Sequence, residues 1–145
     1  MSQENVDLIR VVVESYRDPE IMRALADGDL DLSWVDPDVE WDASPLSEMV
    51  PDLAGLYHGH EGVRTFWRRW FDAWSALEFE IEDIRDADDD VVVLIRDQRQ
   101  LGRHSEIWTE LPPFAQVYTL RDGQLVRWQI FPDHESALAA VGQGR

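Results

Sequence analysis

Hydrophobic positions follow helical spacing in the first half of this chain and alternate with polar ones in the second. The densest helical stretch, YHGHEGVRTFWRRWFDAWSAL, runs from Tyr57 to Leu77. Its Val63, Phe66, Trp67, Trp70, Phe71 and Trp74 recur at steps of three and four, which gathers them on one broad stripe. Arg64, Thr65, Arg68, Arg69 and Asp72 fall opposite. A stripe with three tryptophans is wider and flatter than helix pairing needs, and it suits a helix laid across a curved sheet. The plain reading of these rings is burial in the core; the sharper one is that those nearest one end wall a cavity.

Upstream, Val6, Ile9, Val13 and Tyr16 step by three, four and three, with Leu8 and Val12 widening the face, so a helix spans Asn5 to Tyr16. Ser2 or Asn5 suits its cap. Pro19 opens a shorter helix through Ile21, Met22 and Leu25, and Gly28 ends it where a left-handed residue is wanted. Asp29 to Trp34 reads as a further brief helical turn. Val39 to Asp42 then alternates as a short strand. The loop ASPLSEMVPDLAGL, residues 43–56, is long enough for a job of its own, and a lid over a pocket is one candidate.

In the second half, Leu77, Phe79 and Ile81 alternate with Glu78, Glu80 and Glu82, as in a strand with one buried face. Asp86 to Asp90 reads as a solvated hairpin tip rather than a calcium loop, because the spaced oxygen ligands and following Glu are missing. Val91 to Ile95 is apolar at every position and implies a strand covered on both faces, continued by Arg96 to Gln100. After a turn at Gly102 to Ser105, a strand from Ile107 to Leu120 carries Pro112 and Pro113, which call for a bulge or bend. The turn RDG, Arg121 to Gly123, leads into a last strand, Leu125 to Phe131, with Val126, Trp128 and Ile130 sharing a face. Asp133 to Val141 suits a final helical turn or two. This order predicts a segregated α+β fold, in which about three N-terminal helices cover a bent antiparallel sheet and leave a cone.

Composition narrows the partners. A chain of 145 residues fits a single domain, 1–145, since about 150 residues bury close to 70% of the surface exposed on unfolding. Asp and Glu outnumber Lys and Arg by 30 to 13, and the formal charge of -17 disfavours nucleic acid and anionic membranes while leaving neutral small molecules free to enter. There is no cysteine, which removes disulfides, thiolate nucleophiles and Cys-ligated metals. No apolar run reaches the length of a membrane span or a secretion signal, so a soluble cytoplasmic protein is expected.

DPDVEW at Asp36 to Trp41, YHGHEGV at Tyr57 to Val63, TLRDGQLVRW at Thr119 to Trp128 and the closing FPDHESAL together resemble the SnoaL-like branch of the nuclear transport factor 2-like superfamily. The likeness covers nearly the whole chain. It implies a cone-shaped α+β roll, related to the cystatin-like roll, with a pocket between curved sheet and helices and a homodimer formed through the sheet's outer face. Members of that superfamily include polyketide cyclases, ketosteroid isomerase, limonene epoxide hydrolase, dehydratases and noncatalytic proteins, so the fold alone does not settle activity. By the same resemblance, the isomerase's general base matches Trp41, which takes no proton from carbon, and its oxyanion-hole acid matches Gln116, which still donates a hydrogen bond. The epoxide hydrolase triad matches Arg96, Gln98 and Ile130, of which only the arginine is kept.

Within such a cone the expected pocket residues are Tyr16, Trp41, Trp67, Trp70, Arg96, Gln98, Gln116, Tyr118, Trp128 and Ile130. A wall that is mostly aromatic with a few hydrogen-bonding groups suits a flat neutral ligand of sterol or polyketide type. The bland alternative is that these groups pair with one another and fill the core. His58, His60, His104 and His134 do not have the spacing of a converging metal set, and neither metal nor cofactor is expected. Candidates for acid or base work are His60, Tyr118, Asp133 and His134, the last two adjacent at the mouth. Three functions stay open: a pocket protein for a neutral apolar or aromatic molecule, an isomerase, cyclase or dehydratase, and a dimeric interaction domain using an outer apolar patch of Val93, Ile95, Val117 and Phe131.

Overall fold

Strand curvature organises the molecule, and its source is a set of bulges at defined positions. The computed structural model describes residues 2–29, 31–45 and 53–142. Its elements are α1 (Ser2–Ser15), α2 (Pro19–Asp27), β1 (Val35–Asp42), β2 (Leu56–His58), α3 (Gly59–Ala73), β3 (Trp74–Ala87), β4 (Asp90–Gly102), β5 (Trp108–Leu111), β6 (Phe114–Arg121), β7 (Gln124–Phe131) and α4 (His134–Ala140). The sheet runs in the order β2-β1-β7-β6-β4-β3, with β5 pairing β4. All pairings are antiparallel except β1 with β7, which is parallel, so the sheet is mixed rather than purely antiparallel.

Between β3 and β4, Glu80 faces Asp97 while Ile81 faces Ile95, which leaves Arg96 as an extra residue; Asp83 then faces Leu94, which leaves Glu82 extra on the other strand. Further irregularities lie between Trp74 and Ala76 in β3, between Val35 and Glu40 in β1, and between β6 and β7, where Val126 is skipped. Each extra residue bends its strand and sharpens the local twist. The long β3–β4 pair curls in this way over the helical layer.

The local chemistry of the helices follows their sequence. Asp18 caps α2 by accepting from the Glu20 amide at 2.9 Å, Pro19 occupies the first turn, and Gly28 ends the helix at φ +76°. Gly59 starts α3 at φ +72°, and a Cβ there would lie 3.1 Å from the Pro37 carbonyl oxygen, so both conformation and space favour glycine. The helical turn expected over Asp29 to Trp34 is not seen in its described part: residues 31–32 are irregular and 33–34 form a turn, because Asp31 accepts from the Ser33 amide and hydroxyl and holds the backbone there.

The main core lies between α1, α2 and α3 and the inner face of the sheet, where Ile9, Val13, Val63, Phe66, Trp67 and Trp70 meet Val39, Trp41, Val91, Val93, Ile95 and Trp128. A second core lies on the outer face. There α4 sets Ala137 against Val92, Leu94, Ala115 and Val117, with Phe131, Leu138 and Val141 at its margin. The five-residue run Val91 to Ile95 is thus buried throughout, odd positions inward and even positions under α4. The expected outer patch is corrected accordingly: Val93 and Ile95 face the inner core, while Val117 and Phe131 are covered by the chain's own last helix.

Candidate functional site

The open end of the inner core holds a cavity of about 60 Å³ walled by Trp41, Phe66, Trp67, Trp70 and Trp128, with Leu53, Leu77, Phe79, Leu111 and Ile130 closing it. Ring packing fixes the wall. Trp41 from β1 stacks on Trp128 from β7 at 4.4 Å between centroids and 16° between planes, because the parallel pairing sets these two residues opposite one another. Phe66 tilts against both, and Trp67 meets Tyr16 at 5.3 Å.

The polar groups come from two strands and one helix end. Tyr118, fully buried on β6, donates from its hydroxyl to Gln116 Oε1 at 2.9 Å, and the Tyr16 hydroxyl adjoins it from the turn after α1. Desolvation raises both phenols above their ordinary range, and their proximity adds to the shift on Tyr118. Both are therefore neutral hydroxyls at physiological pH, suited to donate or accept a hydrogen bond but not to act as a base. On β4, Gln98 donates to Gln100 Oε1 at 3.1 Å. The indole N–H groups of Trp41 and Trp128 are buried without a hydrogen-bond partner; Trp128 lies near enough to Tyr118 to lower its pKa but does not reach bonding geometry. A buried donor left unpaired costs about 1–3 kcal/mol.

Two grooves adjoin the cavity. One shares Leu77, Phe79, Gln98 and Leu111 with it and carries Glu78, Glu80, Asp97 and Glu110. The other shares Tyr16, Trp70 and Leu77 and carries Arg17, Arg23 and Arg103. Arg17 lines both; its guanidinium lies 4.2 Å over the Phe79 ring, donates to the Phe79 carbonyl at 2.8 Å and pairs with Glu14 at 3.2 Å.

A family model for the SnoaL-like domain matches residues 20–128, the greater part of the chain. The protein belongs to the SnoaL-like family. This SnoaL-like chain is similar in structure to TerC co-crystallised with polyporic acid, at 22% identity over 95% of this chain and 97% of that one, with a TM-score of 0.68. It is similar to a nuclear transport factor 2-like protein of unknown function from Burkholderia pseudomallei, at 23% identity over 98% and 99% of the two chains and a TM-score of 0.66. A hypothetical protein with a ketosteroid isomerase-like fold from Catenulispora acidiphila, in complex with trimethylamine, aligns at 14% identity over 88% and 86%, with a TM-score of 0.59. Likeness at these identities carries the fold only. No curated protein matches the sequence.

Of the residues expected to line a pocket in a SnoaL-like cone, Tyr16, Trp41, Trp67, Trp70, Gln98, Gln116, Tyr118, Trp128 and Ile130 line this cavity. Arg96 does not. As the extra residue of the β4 bulge it points to solvent, 55% exposed, with Asp97 at 3.3 Å and Glu80 at 4.0 Å. Gln100, buried and facing the cavity, is the polar residue that the alternation did not single out, and its signal was its place two beyond Gln98.

Apart from Tyr118, the acid and base candidates lie outside the lining. His60 meets the Val35 carbonyl at 2.7 Å at the far end of α3. Asp133 is exposed and caps α4 through the Ser136 amide at 2.7 Å, which holds its carboxyl below the usual carboxylate range. His134 meets the Ile95 carbonyl at 2.8 Å and lies 3.7 Å from Glu82. No Asp, Glu or His is among the described residues that line the cavity. Nor do three or more His, Asp or Glu side chains come together to hold a metal among the described residues. The lid expected of the 43–56 loop lies partly outside them; its described ends are tied by Ala43 N–H to the Gly55 carbonyl at 2.8 Å and by Tyr57 to the Leu53 carbonyl at 3.0 Å. Among the described residues no helix is long and apolar enough to cross a membrane.

Proposed function

We propose that this SnoaL-like protein binds, without transforming it, a small molecule whose buried part is neutral and apolar or aromatic. One observation carries this reading: the cavity wall is built of indoles, two with unpaired N–H groups, and the polar groups among its described residues are all uncharged. Such a wall recognises a flat ring by stacking and a carbonyl or ether oxygen by an indole N–H. Tyr16 and Tyr118 are neutral donors, and with no carboxylate or imidazole among the described lining residues they support binding rather than proton abstraction.

Size shapes the ligand. Pockets for drug-sized molecules run to about 300–1,000 Å³, so a cavity of about 60 Å³ admits a fragment and sends the remainder of a larger molecule into the flanking grooves. A whole sterol does not fit inside this conformation.

The test is quenching of tryptophan fluorescence and thermal stabilisation across a panel of aromatic ketones, quinones including polyporic acid, and steroids. The expected outcome is saturable quenching by at least one planar carbonyl compound, with stabilisation of about 2.7 kcal/mol at one hundred times its Kd. Trp128→Phe weakens that compound while leaving a pure hydrocarbon of the same shape unaffected. A panel with no quenching and no stabilisation removes the proposal.

A further inference from the structure

The two grooves beside the cavity differ in charge, and the difference runs against the protein as a whole. With 30 acidic and 13 basic residues in the chain, a groove that collects three arginines and no carboxylate among its described residues stands apart from the general surface. Arg17, Arg23 and Arg103 border it, and its floor is continuous with the cavity through Tyr16, Trp70 and Leu77.

The arginines are held to different degrees. Arg103 donates from Nε to the Phe71 carbonyl at 2.6 Å and from Nη2 to the Trp74 carbonyl at 3.1 Å, so the end of α3 fixes it with one edge spare. Arg17 is fixed over Phe79 and partly neutralised by Glu14. Arg23, on α2, has no hydrogen bond or ion pair among the described residues. The opposite groove is self-contained: its Arg99 is paired with Glu78 at 2.6 Å and stacked on Trp108 at 4.4 Å, and it carries an excess of carboxylates.

We infer that the groove of Arg17, Arg23 and Arg103 holds a carboxylate borne by the ligand whose rings occupy the cavity. This rests on the pocket reading above and extends it from a neutral buried part to an amphipathic aromatic or alicyclic acid. A planar carboxylate matches the guanidinium fork in two parallel hydrogen bonds. Cavity and groove meet at Tyr16, Trp70 and Leu77, so a molecule too long for the cavity enters the groove without leaving apolar contact. The strongly negative protein repels anions at long range, and the selection is therefore local, made only by an acid whose ring is already seated.

The experiment pairs 2-naphthoate with methyl 2-naphthoate on the full chain, each titrated by tryptophan quenching at neutral pH. The acid is expected to bind about tenfold tighter than the ester, the gain of a charge-assisted contact. Arg23→Gln, a change at an exposed side chain, brings the acid down to the ester's affinity and leaves the ester unmoved, while Arg99→Gln in the opposite groove changes neither. An acid no tighter than its ester, or a preference that survives both R23Q and R103Q in folded protein, overturns the anion groove and leaves the pocket reading standing. Failure of both probes to bind removes the pocket reading and this inference with it.

Discussion

Tyr118 is the pivot of the polar floor: it donates to Gln116, adjoins Tyr16 and lies beside an unpaired indole. A phenol whose pKa is raised in the folded chain holds its proton more tightly there than when unfolded. Stability is therefore complete below the unfolded value of about 10 and is lost as pH climbs through the raised values, by about 1.4 kcal/mol per pH unit for each phenol. Phenolate absorbance is expected to show Tyr16 and Tyr118 ionising only with alkaline unfolding, and Tyr16→Phe with Tyr118→Phe to remove that late phase. Smooth ionisation of both near the ordinary value in folded protein contradicts it. These tyrosines were legible because helix spacing and strand alternation both placed them inward. Arg96 was not, since alternation counts every residue and a bulge skips one.

Among the elements, α4 changes the character of the sheet most. Its single fully buried residue, Ala137, sits over Val92, Leu94, Ala115 and Val117. Ala137→Leu forces extra methylene groups into that contact and is expected to destabilise the protein by about 1–3 kcal/mol, read as a lower urea midpoint, with the cavity's ligand affinity unchanged because the inner face is untouched. A midpoint equal to the parent's would place α4 loosely on the sheet. The short C-terminal helix was visible in Asp133 to Val141, but the face it covers was not, because the apolar run at Val91 to Ile95 reads the same from either side. The parallel pairing of β1 with β7 was hidden for another reason: it joins strands far apart in sequence, and no turn between them records it. The three-residue β2 is too short for any period to show.

On the scale of the whole molecule, charge sets what is expected of self-association. The resemblance implies a homodimer through the outer face, where α4 already occupies the apolar centre and the Glu40–Arg127 pair, 3.7 Å apart, marks its polar part. Two copies at -17 each repel strongly at low salt, and screening relieves this within about 10 Å at 0.1 M. Sedimentation is therefore expected to show monomer at low ionic strength and a growing dimer fraction as salt rises. Monomer under every condition removes the dimer. The overall architecture, helices over a bent sheet with an aromatic hollow, was readable from the order of periodicities and the motif set. The volume of that hollow was not, since it depends on how rings from β1, β7 and α3 lean on one another.

The bulge at Arg96 bears on how such a binding site diversifies. Beyond it, Gln98 and Gln100 present neutral amides inward while Asp97 and Arg99 present charge outward. Inserting one residue between Asp97 and Gln98, with no second bulge to absorb it, would turn both amides outward and Arg99 inward at a stroke. For a lineage descending from this protein, an in-frame insertion or deletion is thus a shorter route to a new ligand repertoire than any series of point substitutions.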